Sequence, residues 1–198
     1  MEGLSDKIVV EQIDRYLSSK KMGANIDENE WPVIAIGGKK NLLSFMTLSL
    51  MLDIPKLAIL DYDALMRRDN RIKPNGAEVK TSTIVFTLWC MGKLDNGLIN
   101  KDLLLRTLEG EWYEDSQLGD LRTLALENGI FVFPKDLEGV MQSQENSEKR
   151  KPFKALERIV DLISQESIPS EFYEMCNFLS KHTYPNGNER QVPTCPRG

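Results

Sequence analysis

Histidine and cysteine are nearly absent from this 198-residue chain. The single His182 and the three cysteines, Cys90, Cys176 and Cys195, form no C-x-x-C pair and no metal-ligand spacing, which excludes a structural zinc module. An odd, scattered set of thiols also excludes a disulfide framework and fits a reducing compartment. Long apolar runs are missing too. The stretch 84–91 is far too short to span a bilayer, so no membrane association is expected. No secretory leader is expected, because residues 1–11 carry Glu2, Asp6, Lys7 and Glu11. With a net charge of −5, the chain has no excess of cations with which to coat nucleic acid. The ATP-type phosphate loop is absent as well: Gly37-Gly38-Lys39-Lys40-Asn41 has glycines and lysines without the required spacing. The expected location is the cytoplasm, with the nucleus as the alternative.

What is present suits one domain with a small appendage, since 41% apolar content supplies an ordinary core. Ser5 is the expected cap of a helix over 6–19, where Ile8, Val9, Ile13, Tyr16 and Leu17 recur at helical spacing. Residues 20–30 read as a polar loop. The β-branched run 32–36 predicts a buried strand ended by Gly37-Gly38, and 39–52 a second helix. A further strand covers 57–60 and ends at Asp61. Residues 64–76 read as a loop closing on Pro74-Asn75-Gly76, and 77–91 as a helix stopped by Gly92. Helices are predicted over 98–108, 117–128, 152–164 and 169–181, and a strand over 130–133. Strands separated by helices give an α/β fold, a Rossmann-like parallel sheet flanked by helices with a small C-terminal helical appendage. Residues 1–140 form the expected principal domain, 141–182 a linker with C-terminal helices, and 183–198 a disordered tail.

Acidic residues cluster where such a sheet binds ligands, beyond the carboxyl ends of its strands. Asp61-Tyr62-Asp63 follows one strand and Asp136-Leu137-Glu138 another, while Glu2-Gly3-Leu4-Ser5-Asp6 opens the chain. Crowded carboxylates raise one another's pKa unless a cation neutralises them. Mg²⁺ or Mn²⁺ fits, because oxygen donors, water and a substrate phosphate complete its shell. Two such ions would clamp the attacking and leaving oxygens of an in-line displacement. Each motif also has an ordinary reading. A lone D-x-D recurs in loops, Glu2 and Asp6 suit the dipole of a helix start, and Asp136-Leu137-Glu138 can be the cap and first turn of a short helix. Two basic groups, Arg67, Arg68, Arg71 and Lys73, and Lys149, Arg150, Lys151 and Lys154, read either as phosphate-steering or as solvated loops.

In this order, with Lys151-Pro152 after them, the motifs resemble the TOPRIM nuclease half of the OLD (overcoming lysogenization defect) family of endonucleases, over residues 1–165. The resemblance implies Glu2 as metal ligand or general acid/base, Asp6, Asp61, Asp63 and Glu138 as metal ligands, and Lys151 as the catalytic cation that stabilises charge developing in the transition state. Asp136 departs from the family pattern, which carries Ser or Gly there, and is a candidate ligand beside Glu138. The implied activity is Mg²⁺- or Mn²⁺-dependent endonuclease cleavage, a hydrolysis of phosphodiester bonds in DNA, with RNA the less favoured substrate. Two features depart from the family. Only Met1 precedes Glu2, so the first strand is expected to be truncated, and the Walker motifs of the family's ATPase half are absent. They support the alternative, a catalytically silent TOPRIM-derived binding or regulatory module acting with an ABC-type ATPase domain or subunit. A homo-oligomer is compatible with either. If Lys151 does not supply the cation, Arg67, Arg68 or Lys39 would.

Overall fold

Gly3, rather than Ser5, starts the first helix. The computed structural model describes residues 3–65, 67–73, 78–94, 115–141 and 151–183. In it α1 spans Leu4–Ser19, and the Asp6 carboxylate reaches back to accept from the Gly3 amide at 2.8 Å. That bond satisfies one of the amides a helix start leaves without an intrahelical partner, which places Ser5 inside the helix instead of at its cap. Val9, Val10, Ile13 and Leu17 form the buried face, as the spacing predicts. The chain divides into two compact units. One combines Met1–Gly37 with Phe133–Gly198, and the other is Gly38–Val132.

The second unit holds the parallel sheet. A single 3₁₀ turn, Lys39–Asn41, leads into α2 (Leu42–Met51). β1 (Ala58–Leu60) pairs in parallel with β4 (Ile130–Val132), in the register Ala58 to Ile130, Ile59 to Phe131 and Leu60 to Val132. All six side chains are buried, which is why both strands read as continuous apolar runs. Between them lie β2 (Arg67–Ile72), β3 (Val79–Ser82), α3 (Thr83–Cys90) and α4 (Asp115–Glu127). α4 packs on β4, and the Arg122 side chain donates to the Val132 carbonyl at 3.2 Å. The sheet is therefore flanked by helices, as expected.

Two expectations fail in this unit. Residues 67–72 form a strand, not a loop, and 79–82 its antiparallel partner, not the start of a helix. Ile72 and Thr81 are buried on one face while Arg71, Lys73 and Lys80 are exposed, so the alternation of a half-buried hairpin is present but carried largely by polar residues. Apolar periodicity could not report it. A third expectation fails in the first unit: residues 31–36 carry no strand, and Ile34 is 50% exposed. The β-branched run lacks the burial that a central strand needs. The helix expected over 98–108 and the tail after residue 183 lie outside the described residues.

The first unit is helical. α5 (Leu137–Val140) is a single turn, followed by α6 (Lys151–Ser164) and α7 (Ser170–Thr183). α6 packs against α1, and buried Ala155, Ile159 and Leu162 recur at helical spacing on its inner face. Phe172 and Phe133 meet edge to face, with ring centroids 5.6 Å apart. Asp14 sits in this core at 2% exposure. Its carboxylate accepts from the Ala24 amide at 2.5 Å, the Ile26 amide at 2.9 Å and the Cys176 thiol at 3.6 Å. The polar loop after α1 is thus folded back over the helix. Gly23 makes this possible, because a Cβ there would run into the Ser18 backbone nitrogen and lie 2.6 Å from the Asp14 carbonyl oxygen.

Candidate functional site

The site is built at the carboxyl end of β1. Asp61 follows the last strand residue with extended backbone, φ −76° and ψ 160°, and its own carboxylate accepts from the Tyr62 amide at 3.2 Å. That bond caps a 3₁₀ turn over Tyr62–Ala64, closed by the Ala64 amide on the Asp61 carbonyl at 3.0 Å. Ala64 and Leu65 are fully buried and anchor the turn. The sheet and these two anchors therefore fix where both carboxylates of the D-x-D stand.

Lys39 completes the group. Its ammonium forms an ion pair with the Asp63 carboxylate, and the two side chains are only 16% and 30% exposed. The lysine is delivered by Gly37 and Gly38, at φ 73° and 113°, values that L side chains rarely adopt. The Gly38 carbonyl then accepts from the Asn41 amide at 3.1 Å and starts the turn that carries Lys39. Exposed ion pairs contribute at most about 1 kcal/mol. This one is shielded on both sides, so screening by salt weakens it less. Chemically the group is two hard oxygen donors two residues apart, with a fixed cation on one of them.

The other expected residues belong to other elements. Glu2 lies outside the described residues. Asp6 is in the first turn of α1, holding the Gly3 amide. Asp136 is exposed and immediately precedes α5, its carbonyl accepting from the Val140 amide at 2.8 Å. The helix-cap reading of Asp136-Leu137-Glu138 is thus the backbone's own arrangement. Glu138 is the second residue of that turn and Lys151 the first of α6, with side chains outside the described set. These residues belong to the first unit and Asp61, Asp63 and Lys39 to the second. Among the described residues, no three His, Cys, Asp or Glu side chains form a group able to hold a metal ion.

Sequence reasoning passed over Asp14 entirely, because a carboxylate inside an amphipathic helix carries no local mark of burial. Cys176 is its neighbour. Burial, and then the Asp14 charge, push the Cys176 thiol well above the usual thiol range. It stays protonated and is a hydrogen-bond donor to Asp14, not a nucleophile.

Residues 1–63 match the family model of the overcoming lysogenization defect protein-like TOPRIM domain. The matched segment contains the opening Glu2-Gly3-Leu4-Ser5-Asp6 motif, the Gly37-Gly38-Lys39 turn and both carboxylates of the D-x-D. OLD-like TOPRIM domains are nuclease-type domains that bind divalent metal and act with nucleic acid. No curated protein and no solved structure matches the chain. The TOPRIM match ends at Asp63, so the site described above closes the matched segment. Its donors suit a hard divalent ion, all being carboxylate oxygens. No helix of the described residues is long and apolar enough to cross a membrane.

Proposed function

We propose that the chain is an OLD-type TOPRIM nuclease domain that hydrolyses phosphodiester bonds in DNA with the help of Mg²⁺ or Mn²⁺. The observation that carries this reading is the pair Asp61 and Asp63, held at the carboxyl end of a buried parallel strand within the family-matched segment. These two carboxylates would hold the ion, which when bound supplies positive charge to the reacting phosphate oxygens. Lys39 holds the Asp63 carboxylate in one orientation and can offer its charge to a substrate phosphate. Glu2, Asp6, Asp136, Glu138 and Lys151 remain part of the proposal as further ligands and catalytic groups, on the family pattern.

The test is nicking of supercoiled plasmid in Mg²⁺ or Mn²⁺. Asp61→Asn/Asp63→Asn is expected to lower the rate at least ~100-fold, the scale of removing electrostatic stabilisation from a transition state. Equal rates for variant and wild type would remove these residues from the mechanism.

A second reading is favoured by the same lysine. An ammonium seated on Asp63 offsets one of the pair's two charges without a metal, which is what a silent binding or regulatory module acting with an ATPase partner would need. Under that reading wild type nicks no plasmid in either metal, and calorimetry detects no Mn²⁺ binding at millimolar concentration.

A further inference from the structure

We propose that the outer face of the β2–β3 hairpin is the surface that grips the phosphate backbone of double-stranded DNA. The inference rests on the nuclease reading for its partner and on a separate observation for its location. Residues 67–82 carry five Arg or Lys against two acids, in a chain whose net charge is −5. The hairpin begins three residues after the turn that bears Asp61 and Asp63, in the same unit.

Its register decides where the charge goes. The buried face is fixed by Ile72 and Thr81. Strand alternation then turns Arg71 and Lys80 outward, and Lys73, just past the end of β2, is exposed too, with side chains of Arg71 and Lys73 58% and 70% exposed. Arg71 and Lys80 are register partners, directly opposite one another. Like charges in that position destabilise a sheet. Glu78 pairs with Arg71 and stands 3.9 Å from Lys73, but exposed pairs return little. The hairpin thus keeps three cations exposed together. A polyanion suits them, because each phosphate neutralised by Lys or Arg releases condensed counterions. Cations carried side by side on two paired strands suit the double row of phosphates on a duplex. With no base-reading geometry in evidence on this face, the contact is expected to be independent of sequence.

The experiment is fluorescence anisotropy of a labelled 20-base-pair DNA duplex with the full chain, in EDTA so that no cleavage occurs. Arg71→Gln/Lys73→Gln is expected to weaken binding about tenfold at low salt and to reduce the slope of log Kd against log salt by roughly 2, one for each phosphate left without its cation. Lys80→Gln is expected to give about half that change in slope. The control Arg15→Gln/Lys20→Gln removes equal charge from α1 and the loop after it, and is expected to bind like wild type. An unchanged slope in the hairpin variants, or an equal loss in the control, overturns the proposal. So does a wild type that binds no duplex, or one that prefers RNA of the same sequence. Failure here is separable from failure of the nuclease reading. Normal binding by the hairpin variants, beside lost nicking in Asp61→Asn/Asp63→Asn, overturns this inference alone. Hairpin-dependent binding by a wild type that never nicks upholds it alone.

Discussion

Lys39 and Asp14 are two charged residues that water hardly reaches, and they have opposite consequences. Lys39 competes with any cation for Asp63. Lys39→Ala is expected to tighten Mn²⁺ binding roughly tenfold, about 1.4 kcal/mol, measured by calorimetry, because the carboxylate pair loses its built-in counterion. Under the nuclease reading the same variant nicks more slowly despite holding metal better. Asp14 accepts from two buried backbone amides, those of Ala24 and Ile26. Asp14→Ala is expected to lower the free energy of unfolding by about 3 kcal/mol in urea titration, the scale of stranding buried donors. Of these two, only Lys39 left a trace in the sequence. The Gly-Gly-Lys run marks a strained turn, and a strained turn has a reason. Asp14 left none, since its partners Ala24, Ile26 and Cys176 come from a loop and a distant helix.

At the scale of elements, local signals served well and pairing did not. α1, α2, α4, α6 and α7 follow from apolar spacing, caps and prolines, all properties of neighbouring residues. β1 and β4 were legible because burial on both faces makes a strand uniformly apolar. Leu60, 2% exposed at the end of β1, therefore carries both the sheet and the placement of Asp61. Leu60→Ala is expected to cost about 2–5 kcal/mol and to lower nicking more than its stability loss explains. β2 escaped notice because its pairing residues are polar, and a strand made by its partner is not written in its own composition. In α7, burial alone would raise the Glu171 pKa, yet the bond and charge of Lys135, with backbone and Ser170 donors, together hold it below 4.5. A depressed carboxylate stabilises the fold above its unfolded pKa and loses that contribution as pH falls through the folded value. Carbon-detected NMR is expected to place the Glu171 titration below the ordinary glutamate range, and Lys135→Met to move it upward.

At the scale of the whole molecule, the family-matched segment is not a folding unit. Residues 1–63 take α1 from one compact unit, and α2 with β1 from the other. They leave behind β4, the parallel partner of β1, and α6, the packing partner of α1. A fragment of residues 1–63 is expected to show no cooperative thermal transition by circular dichroism, while the full chain does. The acidic order seen along the sequence was legible as a family pattern. Which acids share a unit was not, because that depends on a chain that leaves the first unit at Gly37 and returns to it at Phe133.

That departure and return has a consequence for synthesis. About 130 residues separate the end of α1 from the start of the helix that covers it. At ribosomal speeds of about 5–20 residues per second, Val9, Val10, Ile13 and Leu17 wait on the order of ten seconds in water before their partners leave the ribosome. During that interval the nascent chain presents a greasy, half-made surface, and a holding chaperone that captures amphipathic helices would find it there first.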